Sequence, residues 1–122
     1  MIGDEVLRTA YSFDDLLLRP QYSSVVSRSD IDLTLEIQTE KPMRLPIFAA
    51  PMDTIMSPEM AEVVYNAGAR GVMHRYCSIE EQVQAIEDSN RRRNCEVFAA
   101  VGVTGDYYER AIRLVEAGAS GI

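Results

Sequence analysis

The chain has 122 residues, 47% hydrophobic, 25% charged and 7% aromatic, with a formal net charge of −7. That length suits about one domain, and no stretch approaches the roughly 20 apolar residues of a membrane span. An acidic balance of this size repels phosphate backbones and anionic lipid, so neither nucleic acid nor membrane is expected as the main partner.

The start, Met1-Ile2-Gly3-Asp4-Glu5, lacks the basic and apolar regions of a signal peptide. Cys77 and Cys95 form no CxxC, and His74 is the only histidine. No metal site is expected from so few ligands, and both cysteines read as reduced thiols of a cytoplasmic protein.

Residues 1–44 form an irregular segment, with turn formers at Pro20, Ser23, Ser24 and Pro42. One alternating run, residues 31–37, predicts a half-buried strand with Leu33, Leu35 and Ile37 on one face. The turn at Glu40-Lys41-Pro42 makes it one arm of a small hairpin.

From Leu45 the pattern becomes regular. Residues 45–50 predict a strand buried on both faces. Ser57-Pro58-Glu59 supplies an N-cap, an N1 proline and an acidic first turn. That helix should turn Met60, Ala61, Val63, Val64 and Ala67 inward and stop at Gly68. Residues 71–74 are a second strand, and Ser78 with Glu81 opens a second helix by a capping box. Arg91-Arg92-Arg93 reads as a solvated run at its end. Residues 96–101 are a third strand. Asp106 caps a third helix with Ala111, Ile112, Leu114 and Val115 inward, and Ala119 begins a fourth strand.

Strand centres fall about 25 residues apart, which predicts a parallel α/β sheet. Ala-Gly-Ala-x-Gly occurs at 67–71 and again at 117–121, and reads as a common helix-to-strand turn. A doubly wound sheet normally has about five strands, and a (β/α)₈ barrel needs roughly 250 residues. On the barrel reading, residues 45–122 are its first three βα units and the start of strand four.

Ligands in either architecture bind at the carboxyl ends of the strands. Three loops lie there. The first is Ala50-Pro51-Met52-Asp53-Thr54, where a thioether, an acid and a hydroxyl suit a heterocycle and a sugar, although Met52 as core filler competes. The second is His74-Arg75-Tyr76-Cys77, where Arg75 offers a fork to a phosphate or carboxylate and His74 also suits a scaffold role. The third, residues 102–106, lacks dinucleotide glycine spacing, and its glycines read as turn formers.

With the N-terminal segment, these loops resemble the IMP dehydrogenase/GMP reductase family. The blocks that carry the resemblance are residues 13–20 (FDDLLLRP), 27–33 (SRSDIDL), 45–47 (LPI), 50–54 (APMDT) and 71–75 (GVMHR), with Met60-Ala61 and Gln82. The match runs from residue 12 to 122. It implies a (β/α)₈ barrel and usually a homotetramer. Ala50 and Met52 would line a purine nucleotide monophosphate site, with Asp53 and Thr54 supporting the loop. Ser27 and Arg28 would reach a nicotinamide cofactor, with His74 and Arg75 near it.

The family's nucleophile is a cysteine that attacks purine C2, expected beyond Ile122 and matched by neither Cys77 nor Cys95. This segment alone is therefore expected to be inactive. Its unpaired strand edge and apolar helix faces would make it associate in isolation.

Residues 89–95 run directly across the place where dehydrogenases commonly insert CBS modules, as in reductases and compact dehydrogenases. Pro51, and Ser78 to Gln82, follow the dehydrogenase pattern. The resemblance therefore points to a CBS-lacking IMP dehydrogenase using NAD, in guanine nucleotide synthesis. The alternative is a GMP reductase using NADPH in salvage. A stand-alone α/β binding module and another phosphate-binding barrel enzyme are the remaining readings.

Overall fold

A computed structural model describes residues 10–37, 39–92 and 95–122. The chain forms two compact units, Met1–Ile31 and Asp32–Ile122. Arg93 of the basic run lies outside the described residues.

The first unit is built on two short 3₁₀ turns, Phe13–Asp15 and Arg28–Asp30. Each is closed by a serine three residues before an aspartate. The Ser12 amide and hydroxyl donate to Asp15 Oδ2, both at 2.9 Å. The Ser27 amide donates to Asp30 Oδ2 at 3.2 Å, and Ser27 Oγ accepts from the Ser29 amide at 3.3 Å. A short side chain that satisfies amides at a turn entrance needs no apolar burial, and both turns are exposed.

The second unit runs β1 (Phe48–Ala49), α1 (Pro58–Asn66), β2 (Arg70–Met73), α2 (Ile79–Arg91), β3 (Val97–Ala99) and α3 (Tyr107–Glu116). Its sheet is parallel, in the order β1-β2-β3. The fourth strand is reduced to one parallel bridge between Phe98 and Gly121. The proposed hairpin is likewise one antiparallel pair, in which Leu35 and Met43 exchange amide hydrogen bonds of 2.8 and 2.9 Å. Met43 is buried, whereas Leu33 and Leu35 stay exposed, so the alternating run does not pack one whole face.

Two helix starts follow their sequence signals. Ser57 Oγ accepts from the Met60 amide, and Ser78 and Glu81 form the reciprocal box. The third differs. Asp106 stands at the N-cap but makes no capping bond, because its carboxylate is held by Arg110 at 2.8 Å.

The two Ala-Gly-Ala-x-Gly segments fold alike. Gly68 and Gly118 have φ of +94° and +89°, where a Cβ is strained. Each donates to the carbonyl three residues back, and the next alanine donates to the carbonyl five residues back. The second glycine of each is there for space. A Cβ on Gly71 would stand 2.9 Å from Met56 Sδ, and one on Gly121 only 2.3 Å from Phe98 Cε1.

The core under the helices joins Met56, Ala61, Met73, Ile86, Cys95, Val97, Ala99 and Leu114. Strand alternation sends Phe48, Val72 and Phe98 to the other face. There Phe48 meets Phe98 edge-on at 5.3 Å and stays half exposed. Burial of the first strand on both faces is therefore not observed. Met60, Val63, Ile112 and Val115, expected inward, are also exposed. They lie on helix faces turned from this sheet, and Arg110 takes an inward place on α3 instead.

The basic run is not simply solvated. Arg91 pairs with Glu87 and Asp88 on its own helix, while Arg92 pairs with Glu59 of α1. No helix of the described residues is long and apolar enough to cross a membrane.

Candidate functional site

Parallel strands in sequential order bring the loops after β1, β2 and β3 to the same end of the sheet. The first loop is closed by its own backbone. Met52 donates to the Ala50 carbonyl, and the Met52 carbonyl accepts from Ile55 and Met56 at 3.0 and 2.8 Å. This turn divides its methionines. Met56 is 2% exposed in the core, whereas Met52 is 47% exposed. The core-filling role considered for Met52 therefore belongs to Met56. Ala50, Asp53 and Thr54 are exposed beside it, with Asp53 and Thr54 in the turn.

In the second loop, His74 Nδ1 accepts from the Tyr76 amide at 3.3 Å, and the two rings stack at 6.4 Å. The histidine thus orders its own loop. The Arg75 guanidinium lies over the Tyr76 ring at 5.5 Å. Its Nη1 packs toward Gly102 of the third loop, 3.3 Å from where a Cβ would stand. Arg75 is exposed, and no carboxylate of the described residues lies within ion-pair distance. Its charge also reaches Asp106 and helps to lower that carboxyl, and an exposed, positioned cation suits an anionic ligand.

Beneath these loops lies a polar support. Arg110 is 7% exposed. It donates to Gln82 Oε1 at 2.8 Å, to the Cys77 carbonyl at 3.1 Å and to Asp106. Gln82 in turn donates to the Ala100 carbonyl at 2.9 Å. One buried guanidinium therefore ties the second loop, the end of β3 and the start of α3. Asp106 keeps a carboxyl below its usual range, chiefly through the hydrogen bond from Arg110. Arg110 is absent from the sequence-based site. Its only signal is an aspartate four residues ahead, a spacing shared by many surface pairs.

Neither cysteine is poised as a nucleophile. Burial raises the Cys77 thiol and pushes Cys95 up to about 11. Among the described residues, no group of three His, Cys, Asp or Glu is placed to hold a metal.

Met52, His74 and Arg75 thus share one end of the second unit's sheet. Ser27 and Arg28 belong to the first unit. There Ser27 caps the 3₁₀ turn that begins with Arg28, so its hydroxyl already serves the backbone.

The family described as IMP dehydrogenase / GMP reductase domain matches residues 10–122. An inosine-5'-monophosphate dehydrogenase of Nitrosopumilus maritimus (strain SCM1) is 39% identical over 95 residues, covering 78% of this chain and 20% of that protein. The enzyme of the same name from Rhodopirellula baltica is 31% identical over 94 residues, 77% of this chain and 17% of the relative. That of Streptococcus pyogenes is 35% identical over 88 residues, 72% and 18% respectively. The chain spans about a fifth of the length of these relatives. With a match reaching from the serine-capped turns through all three strand-end loops, the chain belongs to the IMP dehydrogenase / GMP reductase domain family.

Proposed function

We propose that this chain is the N-terminal part of an IMP dehydrogenase, which oxidises IMP to xanthosine monophosphate with NAD. The observation that carries the reading is the division of the first loop, with Met56 in the core and Met52 exposed at the same sheet end as the exposed Arg75. Residues 45–122 would be the first three βα units and opening fourth strand of a (β/α)₈ barrel, after an N-terminal segment at 1–44. The half-open apolar face of Phe48, Val72 and Phe98 supports this, since a barrel interior is filled by such side chains.

In this reading Met52 and Ala50 lie against the purine, and Asp53 and Thr54 hold their loop. Arg75 offers its charge to the dinucleotide, His74 keeps the Arg75 loop in shape, and Ser27 and Arg28 reach the cofactor of a neighbouring subunit. The fit to an anionic cofactor rests on Arg75, exposed and steadied by Tyr76 and Gly102, with no carboxylate of the described residues in direct ion-pair contact. Bound NAD supplies the hydride acceptor. The nucleophilic cysteine lies outside these residues, in keeping with the raised thiols of Cys77 and Cys95. The parent enzyme would be a cytoplasmic homotetramer.

A second reading, GMP reductase with NADPH, rests on one feature, which compact dehydrogenases share. Only residues 92–96 join α2 to β3, leaving no room for a CBS insertion. The full-length protein should form NADH from IMP and NAD. Ammonia release from GMP with NADPH would transfer it to the reductase branch, and neither activity would overturn both readings. Met52→Ala should raise KM for the nucleotide roughly tenfold, from lost apolar contact. Arg75→Ala should raise KM for the cofactor by roughly as much. Unchanged constants would remove these residues from the site.

A further inference from the structure

At the opposite end of the sheet, where β2 begins, lies a cleft of about 360 Å³. That is within the size of small-molecule sites, roughly 300–1,000 Å³. Its lining includes Lys41, Arg44 and Arg70 with Tyr65, Asn66 and Gly68, and no aspartate or glutamate. Three cations around one cleft are unexpected in a chain of net charge −7.

We propose that this cleft binds a phosphate group, held by Lys41 and Arg44 over the Tyr65 side chain. The charge there is unspent. Arg70 is committed to Glu96, but no carboxylate of the described residues pairs with Lys41 or Arg44. Lys41 Nζ is held 5.6 Å over the Tyr65 ring, and Arg44 is held by a 2.9 Å bond to the Asn66 carbonyl.

Two donors of the lining residues are also idle. The Tyr65 hydroxyl and Arg70 Nε are both buried and donate to no protein group. Both atoms have almost no accessible surface, so a ligand's acceptor reaches them after a small side-chain shift, which an unpaired buried donor favours.

The chemistry favours phosphate over carboxylate. A free guanidinium fork meets a carboxylate's two oxygens and a phosphate alike, so the fork does not discriminate and the number of separate donors does. Here the Arg70 fork is spent on Glu96 and two carbonyls, and Arg44 Nη2 on Asn66. What remains is separate donors on several side chains, which suit an anion with more acceptor oxygens. Gly68 also lets Arg44 lie against the turn, since a Cβ there would stand 2.8 Å from Arg44 Cβ.

The test is a titration of the full-length protein with inorganic phosphate, against sodium chloride and succinate at equal ionic strength. The readout is the NMR signal of the Tyr65 ring, which is local to this cleft. A saturable shift with phosphate alone is expected. Lys41→Gln with Arg44→Ala should weaken it about tenfold, and Tyr65→Phe should weaken the phosphate affinity about threefold when read at the Arg44 and Asn66 signals. Lys41→Gln alone, at an exposed position, keeps the fold and should still weaken binding severalfold. No saturable shift, the same shift with chloride or succinate, or a shift indifferent to Lys41 would each overturn the proposal.

Discussion

The two ends of the sheet put a buried, ion-paired arginine to different uses. Where the strands begin, the buried Arg70 is paired, beside the side chains of Lys41 and Arg44, exposed and unpaired among the described residues. Arg70, 1% exposed, bonds to Glu96 and the Lys41 carbonyl, and Glu96 accepts from the amides of Glu40 and Lys41. One ion pair thereby pins the turn between Leu35 and Met43 to the sheet. Where the strands end, the buried guanidinium of Arg110 instead grips loops, and the groups above it are exposed with few partners. The buried pair at the first end fixes chain position; the buried guanidinium at the second holds a platform for the exposed side chains of the strand-end loops. This is the division of labour expected when ligands bind at the carboxyl ends of parallel strands.

Three experiments press on that contrast. The largest effect belongs to the paired end. Glu96→Ala leaves the Arg70 charge buried without its partner and should cost about 3–5 kcal/mol in a denaturant titration. A cost below about 1 kcal/mol would mean that this end is no anchor. At the other end, Arg110→Ala removes buried bonds to Gln82 and the Cys77 carbonyl. It should cost roughly 2–3 kcal/mol and also disturb nucleotide or cofactor KM, a loss that Glu96→Ala should not mimic per unit of stability.

The smallest effect is a pH dependence at Asp106. Its lowered carboxyl takes up a proton more readily when the chain unfolds. The stabilisation is therefore complete above the ordinary value of 3.8 and fades as pH falls through the lower folded value. The thermal midpoints of the native chain and Asp106→Asn should differ by a constant amount above about pH 5 and converge in stronger acid. A gap that widens in acid would show the sign to be wrong.

Much of the second unit is legible from local chemistry. Ser57-Pro58 and Ser78 with Glu81 start helices because their bonds close within three residues. Gly68 and Gly118 end helices because only the backbone sign of φ is at issue. The same box opens the first unit's turns at Ser12–Asp15 and Ser27–Asp30, and could be read the same way. The candidate loops, too, follow from strand order alone.

Other features depend on what comes to lie nearby. The apolar runs at 45–50 and 96–101 shrink to two and three strand residues, since pairing needs a neighbour in register. Hydropathy places Ile112 and Val115 inward and Arg110 outward, and packing reverses them. Nothing local distinguishes Met52 from Met56, yet one is a core residue and the other an exposed one.

By itself, then, the sequence determined the order of elements, their capped ends, the parallel topology and the family, because these rest on short-range bonds and ordered motifs. Only the tertiary structure decided which arginines are buried, which methionine faces solvent and which charges lack a partner. Those outcomes depend on long-range neighbours, such as Glu96 for Arg70 and Gln82 for Arg110, and burial is a property of the neighbours as much as of the residue.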